Sequence, residues 1–230
     1  METFRENVKR ITDEPPQLLV NVVAFSLCSN KLQVMLTPYE NKFDDTTWRI
    51  PRTVVKKGIS PENLAIDLME KHLGTRDVFV EQLYTYGEPD RYQDEHVISI
   101  VYFSLIPAQD VENEECRLVK DGKWFPVAEL PKTSSNDSEI IDYALRRLRY
   151  KLEYSAVGFQ LLPEEFTLSA IQHTYEIILG EKLDKRNFRR RILEAEIIEP
   201  TPRLKTGEGR PARLYRYRPD AVAEVKARRL

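Results

Sequence analysis

The stretch Leu161–Ile192, LLPEEFTLSAIQHTYEIILGEKLDKRNFRRRI, constrains the fold more than any other part of the chain. Thr167 stands at a helix N-cap position, and apolar residues recur from Leu168 to Leu179 before Gly180. A threonine hydroxyl accepts an unpaired amide of the first helical turn, and glycine adopts the left-handed backbone that ends a helix. Four residues later Asp184 repeats the cap, and a second helix runs from Lys185 to about Ala195 with Phe188 and Ile192 as its core contacts.

The flanks extend this pattern. Ile140, Ile141, Leu145, Leu148 and Leu152 recur at helical spacing through Ser138–Tyr154. After Ile197-Ile198 and a polar Pro/Gly loop, Ala212–Tyr217 closes a β-hairpin. Helix, helix, turn, helix, two-stranded wing is the order of a winged helix-turn-helix. Its last helix spreads Lys185, Arg186, Arg189 and Arg190 over one solvent face, with Asn187 near the edge. Arginine and asparagine fit guanine and adenine edges in the major groove, while lysine and arginine also hold phosphates. The wing RLKTGEGRPAR adds Arg203, Lys205, Arg210 and Arg213, and Thr167 and Ser169 stand at the start of the preceding helix. These eleven residues are the expected interface with double-stranded DNA.

Charge divides the chain in the same place. Residues 1–137 hold 16 Lys and Arg against 23 Asp and Glu, and residues 138–230 hold 19 against 14. An acidic front half and a basic back half predict two domains with different partners, divided at the polar break KTSSNDS, Lys132–Ser138. No apolar run is long enough to cross a bilayer, and METFRENVKRITDEPP lacks the apolar core of a secretory signal, so the cytoplasm is expected. Cys28 and Cys116 lie 88 positions apart and form neither a metal-ligand cluster nor a disulfide framework; they are expected to be free thiols.

In the front half, residues 17–39 contain two β-branched runs joined by Ser-Asn-Lys, a hairpin signal. A third short strand covers Asp44–Ile50, and Val54-Val55 continues it past a bend. Ser60-Pro61-Glu62 opens a helix carrying Leu64, Leu68 and Leu73 that stops at Gly74. Strands over Val78–Tyr86 and Val97–Ile106 and a short strand end at Lys123–Pro126 complete a mixed sheet.

This strand–loop–helix unit resembles the Nudix fold, and the chain from Pro16 to Pro219 resembles the Nudix-related (NrtR-like) transcriptional regulators. The motifs that carry the resemblance are LYTYGEPDRYQDEHVISIVYF (Leu83–Phe103), the helical block Leu161–Ile192 and GRPARLYRY (Gly209–Tyr217). It implies an α+β protein: an N-terminal Nudix-like α/β/α sandwich with a mixed sheet, residues 1–137, and a C-terminal winged helix-turn-helix, residues 138–230. It further implies a homodimeric repressor on a near-palindromic operator, with a small-molecule effector such as ADP-ribose or a pentose in the Nudix-like half and no cofactor.

With Gly74 aligned to the last glycine of the Nudix motif, the opening Gly-Gly becomes Arg52-Thr53 and the loop glutamate becomes Ile59. The Arg-Glu pair becomes Asp67-Leu68, and the Glu-Glu pair becomes Lys71-His72. Hard divalent cations need oxygen ligands, so this pattern predicts no bound metal and no catalytic residue. The competing reading is a divergent metal-dependent hydrolase of nucleoside diphosphate derivatives; a third is a DNA-binding protein whose Nudix-like half only dimerises. Effector contacts are expected from Trp48, Arg49, Arg52, Lys56 and Lys57 near the loop and from Tyr84, Arg91 and His96 on the following strands. Cations suit phosphates and hydroxyl-rich ligands, and aromatics stack on bases or sugars. Trp48 is above all a core candidate. Loss of the paired glycines, and Arg91-Tyr92-Gln93-Asp94 in place of the family's Arg-Asp-Pro-Arg, point to a ligand less charged than a diphosphate, or to none.

Overall fold

The computed structural model describes residues 15–40, 46–88, 96–108, 116–206, 211–218 and 220–221. Strand β1 (Gln17–Cys28) organises the front half. It turns into β2 (Lys31–Glu40) through Ser29 and Asn30, both at positive φ, the twist that a two-residue hairpin needs. It also pairs antiparallel with β4 (Arg52–Val54) and parallel with β6 (Val97–Leu105). The sheet runs β3 (Thr46–Arg49), β2, β1, β6, β5 (Phe79–Tyr86), with β4 added to β1 and β7 (Lys123–Pro126) to β2.

From Val20 to Cys28 every residue of β1 is buried, as in a strand covered on both faces. Val20, Val22 and Ala24 pack with Leu64, Leu68 and Met69 of helix α1 (Pro61–Leu73). Val23, Phe25 and Leu27 face the other way, toward Ile140, Ile141 and Ala144 of helix α2 (Ser135–Leu152). Helix, sheet and helix therefore form the α/β/α sandwich. The ends of α1 obey the local chemistry: Ser60 accepts from Asn63 N at 3.2 Å, and Gly74, at φ 70°, donates to Glu70 O at 2.8 Å.

Helix α2 begins three residues earlier than its apolar spacing indicates, because Ser134 caps it by accepting from Asp137 N at 3.1 Å. The polar break is thus the first turn of a helix that runs from the sheet to the back half. A short 3-10 turn, Val157–Leu161, then leads to α3 (Leu168–Leu179), α4 (Lys185–Glu194) and the hairpin β8 (Ile198–Lys205) and β9 (Ala212–Tyr217). The sheet residues Phe25 and Val101 share one buried apolar cluster with Ile171, Tyr175, Phe188 and Ile192 of these helices. Gly158 is required in the 3-10 turn, since a Cβ there would lie 2.8 Å from both Leu152 and Tyr175.

The cysteines correct an expectation. Cys28 and Cys116 form a disulfide, with Cα atoms 5.2 Å apart. Pairing of β7 with β2 brings the segment ahead of β7 back to the end of β1, a juxtaposition that an 88-residue separation does not reveal. Among the described residues no helix is long and apolar enough to cross a membrane.

Candidate DNA interface and effector site

The turn between α3 and α4 is built around one carboxylate. Glu176 accepts from Lys182 Nζ at 2.9 Å, Gln172 Nε2 at 3.0 Å and Leu183 N at 3.1 Å. The Lys182 hydrogen bond and these amide donors hold its pKa down to about 2. Thr167 caps α3 by accepting from Ala170 N at 3.0 Å, and Asp184 caps α4 by accepting from Asn187 N at 2.7 Å. Tyr175 and Phe188 then lock the two helices edge to face, with ring centroids 5.3 Å apart. The wing is fixed by Phe166 and Tyr215, which exchange backbone hydrogen bonds of 2.9 and 2.8 Å.

On this frame the expected DNA contacts fall into two groups. Lys185 and Arg186 are exposed at the first turn of α4, and Arg213 is exposed on β9; none of the three has an ion pair among the described residues. Lys205 is exposed at the end of β8. The other cations are engaged within the protein. Arg189 is half-buried and donates to Ser169 Oγ at 2.8 Å, bracing α4 on α3. Arg190 donates to Asn187 Oδ1 at 2.9 Å and pairs with Glu194 at 3.2 Å, and Arg203 pairs with Glu165 at 2.8 Å. Glu165 and Glu194 had no place in the sequence expectation, although Arg190 and Glu194 stand at ion-pair spacing on a helix. Arg210 lies outside the described residues.

The Nudix-like half shows two faces. On the α1 face, Leu68 and His72 are buried, and His72 Nδ1 donates to Lys120 O at 2.8 Å. Lys71 is exposed, while Asp67 and Glu70 both receive hydrogen bonds from Arg76, at 2.6 and 2.7 Å.

The α2 face gathers part of the expected effector set. Arg52 donates from one nitrogen to both oxygens of Asp137, at 2.7 and 2.9 Å, and Asp137 is almost completely buried. Burial pushes the Asp137 carboxyl upward, and Arg52, the Ile50 amide and Arg49 oppose that shift. Arg49 lies 4.4 Å over the Tyr39 ring; burial and the neighbouring Arg52 lower its pKa. Trp48 packs edge-on against Phe125 at 4.7 Å, and its amide donates to Lys132 O at 2.9 Å, which makes it a structural wedge beneath α2. Tyr84 stands apart on the edge strand of the same face, against Tyr86 and against Tyr143 of α2. Lys56 and Lys57 are exposed in the loop ahead of α1, and His96 is exposed before β6. Arg91 lies outside the described residues. The structure therefore groups Arg49 and Arg52 about Asp137, with Trp48 packed on Phe125 instead, and no described contact brings the others to them. It also supplies Asn21 and Asp137, which the sequence reading passed over; Asn21 was visible as one amide inside the apolar run LLVNVVAF.

Most of the chain superposes on a protein solved in complex with DNA. The crystal structure of Shewanella oneidensis NrtR complexed with a 27mer DNA matches with a TM-score of 0.81 and 29% identity, over 93% of this chain and 99% of that one. Residues 158–217 match the family model of the NrtR DNA-binding winged helix domain. The chain is similar to the NrtR-type Nudix-related transcriptional regulators. A curated relative, the ADPR responsive transcriptional repressor NtrR of Acinetobacter baylyi, is 29% identical over 207 residues, 88% of this chain and 82% of the relative. A MutT/nudix family protein from Enterococcus faecalis shares the fold, with a TM-score of 0.73 at 20% identity, over 95% of this chain and 99% of that one.

Proposed function

We propose that this NrtR-like protein is a cytoplasmic, homodimeric repressor that binds a near-palindromic operator and is controlled by an ADP-ribose-class nucleotide, without turning that nucleotide over. The observation that carries the DNA reading is α4 itself. Its capped N-terminus presents Lys185 and Arg186 to solvent, and Phe166 and Tyr215 hold the wing beside α3. Exposed cations at the positive end of a helix dipole are arranged for phosphate oxygens. Two such units related by a two-fold axis read two half-sites.

The non-hydrolytic reading rests on donor chemistry. The motif positions of a magnesium-type site are here a buried Leu68, an exposed Lys71 and a buried His72, and the nearby Asp67 and Glu70 are tied to Arg76. These residues do not fit a hard cation, which requires several free oxygen ligands. The effector reading rests on the α2 face, where Arg49 and Arg52 sit beneath the helix that leads to α3.

The test is footprinting on the DNA upstream of the protein's own gene and its neighbours, with a parallel assay of ADP-ribose hydrolysis in magnesium or manganese. A protected two-half-site tract without hydrolysis is expected. Metal-dependent turnover with no protected tract would establish the hydrolase reading instead.

A further inference from the structure

The α2 face of the sheet carries a polar pair, a buried Asn21 and a part-buried Arg52. Asn21 of β1 and Arg52 of β4 are direct register partners, so their side chains leave the sheet side by side toward α2. Asn21 is wholly buried in an otherwise apolar strand, and its carboxamide nitrogen donates to Ser99 Oγ on β6. Its carboxamide oxygen is buried with no hydrogen-bond partner among the described residues, and so is Arg52 Nε. Buried polar atoms in native proteins are almost always paired, and an orphaned acceptor beside an orphaned donor is complementary to one hydroxyl, which can serve both.

Arg52 Nη2 is occupied by Asp137, a side chain from the first turn of α2. Asp137 is 1% exposed, and its carboxylate is held in that setting by Arg52, by the Ile50 amide and by the charge of Arg49. Its backbone amide is in turn what the cap Ser134 accepts. The arginine that could receive an anion is therefore already paired, through Nη2, with an anion belonging to the helix that continues into the back half.

The geometry points to Asn21 and Arg52 as the polar floor of the effector site, selecting a hydroxylated sugar next to a phosphate, with Asp137 holding the place of the effector's anionic group until the effector displaces it. This deepens the effector reading proposed above and rests on it. Displacement of Asp137 withdraws the partner of Arg52 from the first turn of α2, so effector binding loosens the start of that helix. Arg149, near its other end, donates to Ile178 O of α3 at 2.8 Å, which connects that helix to the DNA-reading unit.

The experiment titrates ADP-ribose and ribose 5-phosphate into the full-length protein by calorimetry, in wild type, Asn21→Ala, Arg52→Lys and Asp137→Asn. Hydrogen exchange of residues 135–141 is followed in the same samples. Removing one hydrogen-bonding group from the floor is expected to weaken binding about 10-fold or more, while Asp137→Asn, which removes the internal competitor's charge, strengthens it by about 10-fold. Effector binding to wild type is expected to reduce amide protection at Asp137–Ile141. Asp137→Asn is nearly isosteric, so it carries the test if circular dichroism shows Asn21→Ala to be unfolded. Binding that is unchanged in Asp137→Asn, with unchanged exchange at the start of α2, overturns this inference and leaves the effector reading standing. Absence of binding to wild type by either compound overturns both.

Discussion

Neutralising the exposed cations of α4 should change how DNA affinity depends on salt, by an amount set by the count of phosphates released. Lys185 and Arg186 are exposed at the start of α4 and have no ion pair among the described residues. Each phosphate neutralised contributes about 0.9 to the slope of log affinity against log salt. In a dimer each substitution acts twice, so Lys185→Ala or Arg186→Ala should flatten the slope by about 1.8. Between about 50 and about 200 mM salt, a slope change of that size shrinks the loss of affinity by roughly 12-fold. Arg190 is the internal control. It already pairs with Glu194 and Asn187, so Arg190→Ala should move the slope by well under half as much. The assay is fluorescence anisotropy of a labelled operator duplex at five salt concentrations. All three substitutions lie on a solvent face and should leave stability within about 0.5 kcal/mol, so folding does not confuse the result. An unchanged slope in the Lys185→Ala, Arg186→Ala double variant, with a flattened slope in Arg190→Ala, would refute the assignment of free and engaged cations.

Three further outcomes follow from the fold. Reduction of the Cys28–Cys116 bond opens a loop of 88 residues and should lower stability by up to about 4.5 kcal/mol; two titratable thiols appearing with no shift in the urea midpoint would contradict the structural role given to it. Tyr175→Phe should leave stability unchanged or raise it by up to ~1 kcal/mol, because the Tyr175 hydroxyl is buried without a partner among the described residues; a thermal-denaturation loss larger than that would reveal a missing hydrogen bond. Glu176 has a native pKa depressed from 4.5 to about 2, so its contribution is complete above pH 4.5 and disappears as pH falls through about 2. The stability difference between wild type and Glu176→Gln should close across that window, and a pH-independent difference would remove the charge-assisted account of the turn.

Much of this architecture was legible in the sequence because it is local. Ser60, Thr167 and Asp184 each accept the amide three residues on, so the starts of α1, α3 and α4 are written in single side chains. The inward pair Phe188 and Ile192 followed from helical spacing alone. Features that depend on chain topology were not legible. The Cys28–Cys116 bond requires β7 to return beside β2. The start of α2 was misplaced because Ser134 and Asp137, its cap and first turn, look like any other polar linker. The same difficulty hid the Arg52–Asp137 pair, which joins residues 85 positions apart across two elements. Basic residues in α4 could be found from sequence, but which were free depended on Ser169, Glu194 and Glu165 reaching them in space.

Nucleotide sensing by the Nudix-like half should be coupled to DNA reading by the winged helix. The most direct measurement titrates ADP-ribose into a preformed complex of the protein with its labelled operator, in magnesium-free buffer, while anisotropy is recorded. A saturable fall in anisotropy, with ADP-ribose recovered intact, is the predicted result. Anisotropy that is indifferent to saturating ADP-ribose, in a protein that binds the compound, would contradict the coupling on which the account depends.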